Sequence, residues 1–445
     1  MALSIGQKAG WGLADMGIVV FVIVKQLLIV SYLTTYLGVP VGLAGFVTTG
    51  VLVFDMVTDP LIGYLSDRTH SRFGRRAPWM FVGAVVMAVG MVGLFMAPLD
   101  ASVTAKLIWI TAAFAFATVG FTMCAIPYGA QAGEMTQDAG ERSAMTGWRM
   151  GFATVGILVG GAVLPGLAGA FGFPRAALYV TPLMVGAIWL SLWVVRKAPQ
   201  TASPTNTGFA TAYMLVFGNR AFVVLALTYG VMTLAVALVT AGLPFAAAYL
   251  VVDDGLNALS GAAQTLSVLS VLFGGFFVGA ILSQVFWVLL SHRVGKLWAL
   301  VIGLAGYVAL LYGLSGILPS TNVTAVAGVF IIAGFANGAY QQIPWAIYPD
   351  LMDITRAKTG AAIEGAFSAV WLFGQKLANA VAPAVLGLIL AGAGWQKTTK
   401  GVITQTDDAL AALHLAITMV PAAILALAIL TLVFIFRPME RRAHG

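Results

Sequence analysis

The sequence predicts an all-α membrane protein in which twelve spanning helices form two pseudo-symmetric bundles of six. Of its 445 residues, 60% are hydrophobic and only 9% are charged, whereas soluble domains carry roughly a quarter charged residues. Twelve apolar runs are long enough to cross a bilayer, which requires about 20 mostly apolar residues. One polar segment divides these runs into six and six. A soluble catalytic domain is therefore excluded.

The twelve predicted helices follow the apolar runs in order. The first six cover residues 11–36, 43–66, 78–96, 107–129, 144–171 and 176–195. A segment rich in Thr, Ser and Asn follows, and this composition is typical of a linker. The second six cover residues 221–251, 262–290, 297–318, 323–348, 361–391 and 409–436. We therefore predict an N-terminal bundle over 1–195, a linker over 196–220 and a C-terminal bundle over 221–445.

The basic residues predict the orientation of the chain, because Lys and Arg collect in short cytoplasmic loops. If both termini are cytoplasmic, seventeen of the 23 basic residues lie inside, four lie outside, and Lys25 and Lys376 remain within spans. We therefore expect a multi-pass protein of a bacterial-type inner membrane with both termini in the cytoplasm. The first run shows no cleavage site and is expected to be retained. The net charge of +7 then reflects topology, and no nucleic acid partner is expected.

A short basic loop recurs at corresponding places in the two halves. After the second run stand residues 63–68 (GYLSDR) and 74–76 (GRR), and after the eighth run stand residues 291–296 (SHRVGK). A duplication of six helices would leave such a pair. Any tight cytoplasmic loop tends to be basic, but the count of six and six favours duplication.

Ionisable residues inside the spans are the strongest indication of function. Each costs about 2.5 to 3.5 kcal/mol in the hydrocarbon on insertion scales, so a protein retains few of them without a use. The candidates are Asp15, Lys25, Asp55, Asp59, Glu364 and Lys376.

Asp55 and Asp59 are four residues apart, so a helix would place both carboxylates on one face, one turn apart. Like charges at this distance repel unless a cation or a proton lies between them. Carboxylate oxygens are also ligands that hard cations prefer. The pair therefore predicts a site for a coupling ion, Na+ or H+, although an internal salt bridge with Lys25 or Arg149 would explain the same charges.

The other charges in the spans allow more than one interpretation. Lys25 either neutralises Asp55 or Asp59, or binds an anionic group of a substrate. Lys376 is about 18 Å of helix from Glu364, so its partner must come from another span, and the second-span carboxylates are the candidates. Asp15 stands near a helix end, where an acid need not be functional.

Two charged clusters are expected in loops, at residues 134–142 after the fourth run and 350–358 after the tenth. Such clusters are usually solvated, but facing loops of opposite charge can also hold one closed state.

Nothing in the sequence is typical of catalysis. Cys124 is the single cysteine and lies in an apolar run, and the four histidines lack metal-ligand spacing. No nucleophile stands beside a base. We therefore expect neither an enzyme nor a cofactor other than a coupling ion.

The second span and the loop after it resemble a known group of transporters. Residues 63–68 and 74–76 are similar to the signature loop of the major facilitator superfamily. A narrower resemblance is carried by residues 55–64 (DMVTDPLIGY), 72–79 (RFGRRAPW), 126–128 (IPY), Glu364 and Lys376. In these residues the chain resembles the glycoside-pentoside-hexuronide:cation symporters, the family of melibiose permease. The resemblance implies the major facilitator fold, a central cavity and alternating access.

The resemblance also implies roles for individual residues. Asp55 and Asp59 correspond to the acids that hold the coupling cation, which would be Na+ in a sodium-coupled carrier, and Thr122 corresponds to a threonine that joins them. Arg149 and Lys376 correspond to basic residues of a charge network. The candidate network and substrate cavity together comprise Lys25, Arg149, Gln341, Glu364 and Lys376. The candidate cytoplasmic gate loop comprises Gly63, Asp67, Arg68, Gly74, Arg75 and Arg76.

The substrate side of the sequence departs from the melibiose carrier. Val19 and Ala125 stand where that carrier has acids for the sugar hydroxyls, and Gln341 replaces a tryptophan. Because the hydrogen-bond acceptors are lost, a galactoside is disfavoured. Residues 343–350 (IPWAIYPD) also resemble the sodium-dependent lysophosphatidylcholine symporters, whose substrates are amphipathic.

Together these observations predict a cation-coupled secondary symporter that works as a monomer in the bilayer. Its expected cargo is a small organic solute such as a sugar, a glycoside or a uronate. The alternatives are a carrier of a lysolipid or another amphipathic or anionic solute, and an uncoupled facilitator.

Overall fold

A computed structural model describes residues 3–136, 138–198, 209–359 and 364–444. Within these ranges the regular secondary structure is helical, and one isolated β-bridge joins Val251 to Ser320. Twelve helical segments of the described chain are long and apolar enough to cross a membrane. The all-α membrane fold with twelve spanning helices is therefore confirmed.

The first half of the chain contains eight α-helices. They are α1 (Ile5–Leu27), α2 (Ile29–Thr35), α3 (Val41–Arg68), α4 (Ala77–Phe95), α5 (Val103–Met135), α6 (Ala139–Leu158), α7 (Leu164–Phe171) and α8 (Phe173–Val195). A π-helical turn, Val159–Val163, joins α6 to α7. The side chains of Ser4 and Ser102 cap α1 and α5 by accepting a backbone N–H of the first turn, which has no acceptor within its own helix.

The described second half contains ten further α-helices. They are α9 (Phe209–Gly218), α10 (Arg220–Tyr249), α11 (Ser260–Leu266), α12 (Val268–Val294), α13 (Lys296–Ile317), α14 (Val323–Thr359), α15 (Glu364–Gly392), α16 (Asp407–Ile417), α17 (Met419–Thr431) and α18 (Arg437–His444). A second π-helical turn, Leu432–Phe436, joins α17 to α18.

Three of the predicted spans are interrupted. The first breaks at Leu28 and the twelfth at Thr418. The eighth breaks at Ser267, which has a φ of 98°. This left-handed backbone is uncommon for a residue with a side chain. Hydropathy does not reveal such breaks, because the chain stays apolar on both sides of them.

The prediction of a loop at residues 350–358 is wrong, because α14 continues to Thr359. Ile347, Leu351 and Thr355 are buried at a spacing of four, so the inward face of the helix continues beyond the apolar run. Asp350 on this extension contacts Lys296, with Oδ2 2.6 Å from Nζ. The loop predicted at 134–142 is also largely helical, since α5 ends at Met135 and α6 begins at Ala139.

The chain divides into two compact units. Unit 1 comprises Met1–Pro204, Thr265–Ser270 and Lys397–Ile403, and unit 2 comprises Thr205–Gln264, Val271–Gln396 and Thr404–Gly445. Within unit 1, the Ser270 hydroxyl donates to the Ala162 carbonyl in the π-helical turn at 2.7 Å.

Glycines allow the helices of unit 1 to approach one another closely. A Cβ atom at Gly156 of α6 would meet the carbonyl oxygen of Met16 on α1. One at Gly160, in the π-helical turn, would meet the carbonyl oxygen of Val20 on α1. Small residues at such positions let two backbones come into contact, which stabilises helix pairs within a membrane.

In unit 2, the same kind of packing joins α12 to α14. A Cβ atom at Gly279 would overlap the Ile331 carbonyl, and one at Gly334 would overlap the Phe276 carbonyl. Trp287 of α12 donates from Nε1 to the Phe335 carbonyl of α14 at 2.7 Å.

We expect Gly279→Ala to destabilise the protein by about 1 to 3 kcal/mol, the usual effect of overpacking. The matched control is Gly274→Ala on the same helix, where an added Cβ would meet nothing within 4 Å. This control should be neutral or slightly stabilising, because alanine is the better helix former by roughly 1 kcal/mol. Thermal denaturation of the purified protein in detergent measures both variants. Equal melting temperatures would contradict the close packing of α12 on α14.

Candidate functional site

Asp55 of α3 lies at a junction of three helices in unit 1. Its side chain is only 4% exposed. Thr122 of α5 donates its hydroxyl to Oδ1 at 2.8 Å, and the Lys25 ammonium of α1 lies 3.4 Å from Oδ2. The two carboxylate oxygens therefore have different partners from different helices. The predicted association of Asp55 with Thr122 is present in this geometry.

Lys25 is as deeply buried as Asp55, with 6% of its side chain exposed. Its Nζ atom lies 4.0 Å from the ring centre of Phe121 and 5.7 Å from that of Phe21. Aromatic faces attract a cation, most strongly where water is excluded. The sequence offered Lys25 and Arg149 as basic partners for Asp55, and in the structure the partner is Lys25.

Asp59 follows one turn along α3 and is half-buried. It shares a helix face with Asp55, as the spacing predicts. Between them, Thr58 turns its hydroxyl back to the Asp55 carbonyl at 3.0 Å. The Asp55 carboxylate, the Thr122 hydroxyl and the Lys25 ammonium are therefore in direct contact, and Asp59 lies one helical turn from Asp55.

Arg149 has a different acidic partner, Asp15 of α1, with Nε 2.9 Å from Oδ2. Asp15 is 3% exposed, so it is a buried ion-pair partner and not a solvated helix-end acid. The guanidinium also lies 5.5 Å from the ring centre of Tyr128, which stacks on Trp11 at 4.6 Å. This second charge pair joins α1 to α6.

The loop between α3 and α4 is joined to the end of α5. Both Arg75 and Arg76 contact Glu134 Oε1 at 2.8 Å, and Arg76 Nη1 donates to the Ser66 hydroxyl at 2.7 Å. Gly74 has a φ of 87°, a conformation that favours glycine at this turn. Two of the three arginines of the predicted gate loop, Arg75 and Arg76, are thus held by one buried carboxylate.

The remaining residues of the predicted gate loop are Gly63, Asp67 and Arg68. Arg68 lies with its guanidinium 4.0 Å from the ring centre of Tyr64, and Gly63 is a half-buried residue of α3. Asp67 belongs to α3, but its side chain lies outside the described part of the protein.

The candidate residues of unit 2 are on α14 and α15. Gln341 of α14 is exposed, and Lys376 of α15 is half-buried. Glu364 is the first residue of α15, and its side chain lies outside the described part.

An aromatic cluster in unit 2 joins α10, α14 and α15. Trp371 stacks on Tyr229 at 4.2 Å and on Tyr348 at 4.9 Å between ring centres. Trp345 donates from Nε1 to the Tyr229 hydroxyl at 3.1 Å and keeps 38% of its surface exposed. Most of the cluster is packed, while one edge of Trp345 stays accessible.

Asn337 of α14 is a polar residue that the sequence analysis missed. It is 1% exposed, and neither of its amide atoms has a hydrogen-bond partner among the described residues. It lies one turn before Gln341, on the same side of the helix. The available signal was a lone asparagine within the tenth apolar run, but a neutral residue does not stand out in a search for charges.

Glu141 anchors the start of the chain to α6. The Leu3 amide donates to Oε1 and the Thr136 hydroxyl to Oε2, both at 2.7 Å, and Lys8 Nζ lies 3.3 Å from Oε1. The hydrogen bond from Thr136, followed by the one from Leu3, lowers the pKa of this carboxyl below its ordinary value. Lys8 adds to the same effect.

Twelve apolar helices that are long enough to cross a membrane, with ion pairs buried between them, are typical of a multi-pass membrane protein with a functional site among its helices. The sequence profile of the family described as MFS/sugar transport protein matches residues 10–437. The chain belongs to this family. It is therefore a transporter and not an enzyme.

Curated relatives cover nearly the whole chain. A putative glycoside/cation symporter of Escherichia coli (strain K12), YagG, is 25% identical over 404 residues, which cover 87% of this chain and 83% of that protein. A putative sulfoquinovose importer of the same organism is 25% identical over 457 residues, with 99% and 92% covered. The sodium-dependent lysophosphatidylcholine symporter 1-A of Danio rerio is 24% identical over 436 residues, with 88% and 78% covered. The resemblance to the cation symporters is thus confirmed.

Solved structures agree with the fold. The nucleoside transporter NupG is similar with a TM-score of 0.62 at 14% identity, over 99% of this chain and 100% of that chain. A bacterial homologue of the human lysosomal transporter Spinster, inward-facing and unoccupied, gives 0.61 at 17% identity, with 98% and 96% covered. This likeness concerns the fold alone and confirms the major facilitator architecture.

The lowered pKa of Glu141 predicts a loss of stability in acid. Because the folded-state pKa lies below that of the unfolded chain, the contribution of Glu141 is complete above the ordinary glutamate value of about 4.3 and disappears as the pH falls through the folded-state pKa. We expect Glu141→Gln to melt below the wild type at about pH 7 and to approach it near pH 3. Melting curves across this pH range test the sign. Asp100→Asn, which replaces an exposed acid outside these contacts, is the control. A constant difference for Glu141→Gln would contradict the assignment.

Proposed function

We propose that this chain is a cation-coupled symporter that imports a small organic solute by alternating access. Asp55, Asp59 and Thr122 form the site of the coupling ion, Na+ or H+. The observation that supports this proposal most strongly is the buried Asp55 carboxylate, which contacts a hydroxyl of α5 and an ammonium of α1. The names of the relatives, which include a glycoside/cation symporter and a sodium-dependent symporter, agree with coupling to a cation.

The contacts of Asp55 suggest how ion binding is linked to conformation. An arriving cation competes with the Lys25 ammonium for Oδ2, and Lys25 can remain against the Phe121 ring when it is displaced. When the cation leaves, Lys25 returns, so the buried carboxylate keeps a positive partner throughout. The occupied and empty sites therefore favour different helix positions, which is the differential interaction that a coupled carrier requires.

The solute that we propose is a sugar, a glycoside or a uronate. Two of the relatives are named for a glycoside and for sulfoquinovose. The exposed edge of Trp345 beside Tyr229 offers an aromatic surface with a hydrogen-bonding rim, which suits a solute with both apolar and polar faces. A lysolipid or another amphipathic or anionic solute is the alternative, in agreement with the lysophosphatidylcholine symporter among the relatives.

An uncoupled facilitator is a second candidate, because one observation favours it. If Lys25 stays permanently on Asp55, the chain itself supplies the cation that the carboxylate needs. In that case the solute would equilibrate across the membrane without concentration. Uptake against a solute gradient separates the two candidates.

The location that we propose is a bacterial-type inner membrane, with both termini in the cytoplasm and the protein working as a monomer. The basic loops of the sequence support this orientation. In it, the cluster of Arg75, Arg76 and Glu134 lies at the cytoplasmic ends of α3, α4 and α5.

We expect Asp59→Asn and Asp55→Asn to abolish gradient-driven accumulation of the solute. Each removes a carboxylate ligand of the coupling ion from the proposed site. Asp55→Asn also breaks the buried pair with Lys25, which typically destabilises a protein by about 3 to 5 kcal/mol. The measurement is uptake into proteoliposomes under an imposed Na+ or H+ gradient, compared with exchange at equal solute concentrations on both sides. Exchange should survive in the Asp59 variant, because exchange at equal solute concentrations needs no energy from an ion gradient.

Asp100→Asn is the control, since this acid is exposed between α4 and α5. If the Asp59 variant accumulates solute as the wild type does, the coupling role is lost. If the wild type never concentrates solute in either gradient, the facilitator is the correct candidate.

We expect a substitution of the buried Asn337 to affect the stability of the protein and its affinity for the solute in different ways. Asn337→Leu removes polar atoms that lack a partner in the described chain, which should stabilise the protein or leave it unchanged. If the solute supplies the missing hydrogen bond, its affinity should fall about 3- to 10-fold, as expected for one neutral bond. Thermal melting and solute binding on the same preparation test both effects. A large loss of stability with unchanged affinity would contradict a contact with the solute.

A further inference from the structure

Unit 2 contains a cavity that the transport site does not use. It has a volume of about 550 Å³ and lies between α9, the first turn of α10, the end of α14, and α18. The residues that matter for its chemistry are Met214, Leu215, Arg220, Thr355, Met439 and Arg442. A volume of this size is within the range of small-molecule sites in proteins.

The polar side of the cavity is positive. Arg220 and Arg442 both line it, and no Asp or Glu is among the described residues that do. Neither arginine has an ion-pair partner within the described part of the chain. Two guanidinium groups at one cavity, without a carboxylate to neutralise them, favour an anionic ligand with several oxygen atoms.

The start of α10 is fixed in place beside these arginines. Asn219 accepts the Phe222 amide, and its Nδ2 donates to the Leu351 carbonyl at 2.9 Å and to the Thr355 hydroxyl at 3.0 Å. The adjoining backbone N–H groups of Arg220 and Ala221 have no acceptor within the helix. They add positive potential at the wall of the cavity that Gly218, Asn219 and Ala221 line.

The other side of the cavity is apolar and continues onto an exposed surface. Met214, Leu215 and Met439 line it. On α9, Met214 is 75% exposed and Phe217 is 57% exposed. A ligand that fits both sides must combine an anionic group with hydrocarbon.

We propose that this cavity binds the phosphate-bearing headgroup of an anionic phospholipid. Arg220 and Arg442 contact the phosphate oxygens, and the acyl chains lie over Met214 and Met439. The leaflet is the cytoplasmic one, a point that rests on the orientation given under the proposed function. Basic pockets between membrane helices on that side are suited to anionic headgroups.

The test uses the full chain purified in detergent and four probes. These are a short-chain phosphatidylglycerol, the matching phosphatidylcholine, glycerol phosphate and inorganic phosphate. Native mass spectrometry should detect one retained phosphatidylglycerol, and thermal melting should rise with this probe more than with the other three. Equal effects of phosphatidylglycerol and phosphatidylcholine would overturn the proposal. An equal effect of inorganic phosphate would also overturn it, by assigning the cavity to a free anion.

The variant that tests the residues is the double substitution Arg220→Gln and Arg442→Gln. Each basic side chain near an anionic lipid contributes a factor of about five, so affinity for phosphatidylglycerol should fall roughly 25-fold. Arg293→Gln, an exposed arginine of unit 2 outside the cavity, should leave the affinity unchanged. Unchanged affinity in the double variant would refute the site.

A second measurement does not depend on the folding of a variant. A photoactivatable phosphatidylglycerol added to the wild type should label peptides that contain Met214 or Met439, and labelling only elsewhere would refute the site. Neither assay requires a solute or an ion gradient. A failure of this proposal is therefore distinguishable from a failure of the transport proposal.

Discussion

The contact between Lys25 and Asp55 is the constraint on which the rest of unit 1 depends. A single charge buried in an apolar bundle is expensive, whereas a close pair with further hydrogen bonds is tolerated. Asp55 therefore requires α1 and α5 to lie beside α3, because Lys25 and Thr122 approach its two oxygens from those helices. Any motion that separates α1 from α3 must supply another cation for Asp55. Packing and ion chemistry are coupled at this one carboxylate.

Charge pairs between different segments also occur at two further places in unit 1. Asp15 and Arg149 join α1 to α6, and Glu134 at the end of α5 binds Arg75 and Arg76 of the loop before α4. The glycines that lie against α1 require the two helix backbones to stay close along their length. An ion pair requires only that two side chains meet. The glycines therefore keep helix pairs together as bodies, while the ion pairs are the contacts that can be exchanged. A carrier that changes conformation benefits from this division of roles.

The sequence was sufficient to predict the features that depend on average hydropathy or on a fixed spacing between residues. Hydropathy gave twelve spans, and the interval of four between Asp55 and Asp59 gave their shared helix face. It was insufficient wherever the choice of partner depends on packing. Lys25 and Arg149 were both candidate partners for the second-span acids, and only the arrangement of α1 against α6 assigns Arg149 to Asp15. Hydropathy also placed a loop after Tyr348, because it detects apolar composition and cannot detect that Leu351 and Thr355 continue one buried face.

The π-helical turn at Val159–Val163 has a consequence for comparing this chain with distant relatives. Such a turn accommodates one residue more than an α-helical turn, so it can take up a single inserted residue within a continuous helix. Arg149 before the turn contacts Asp15, and Gly166 after the turn lies against the Leu266 carbonyl. A relative that lacks one residue here can form an ordinary helix across the same distance. A one-residue gap in an alignment of this segment is therefore compatible with an unchanged fold.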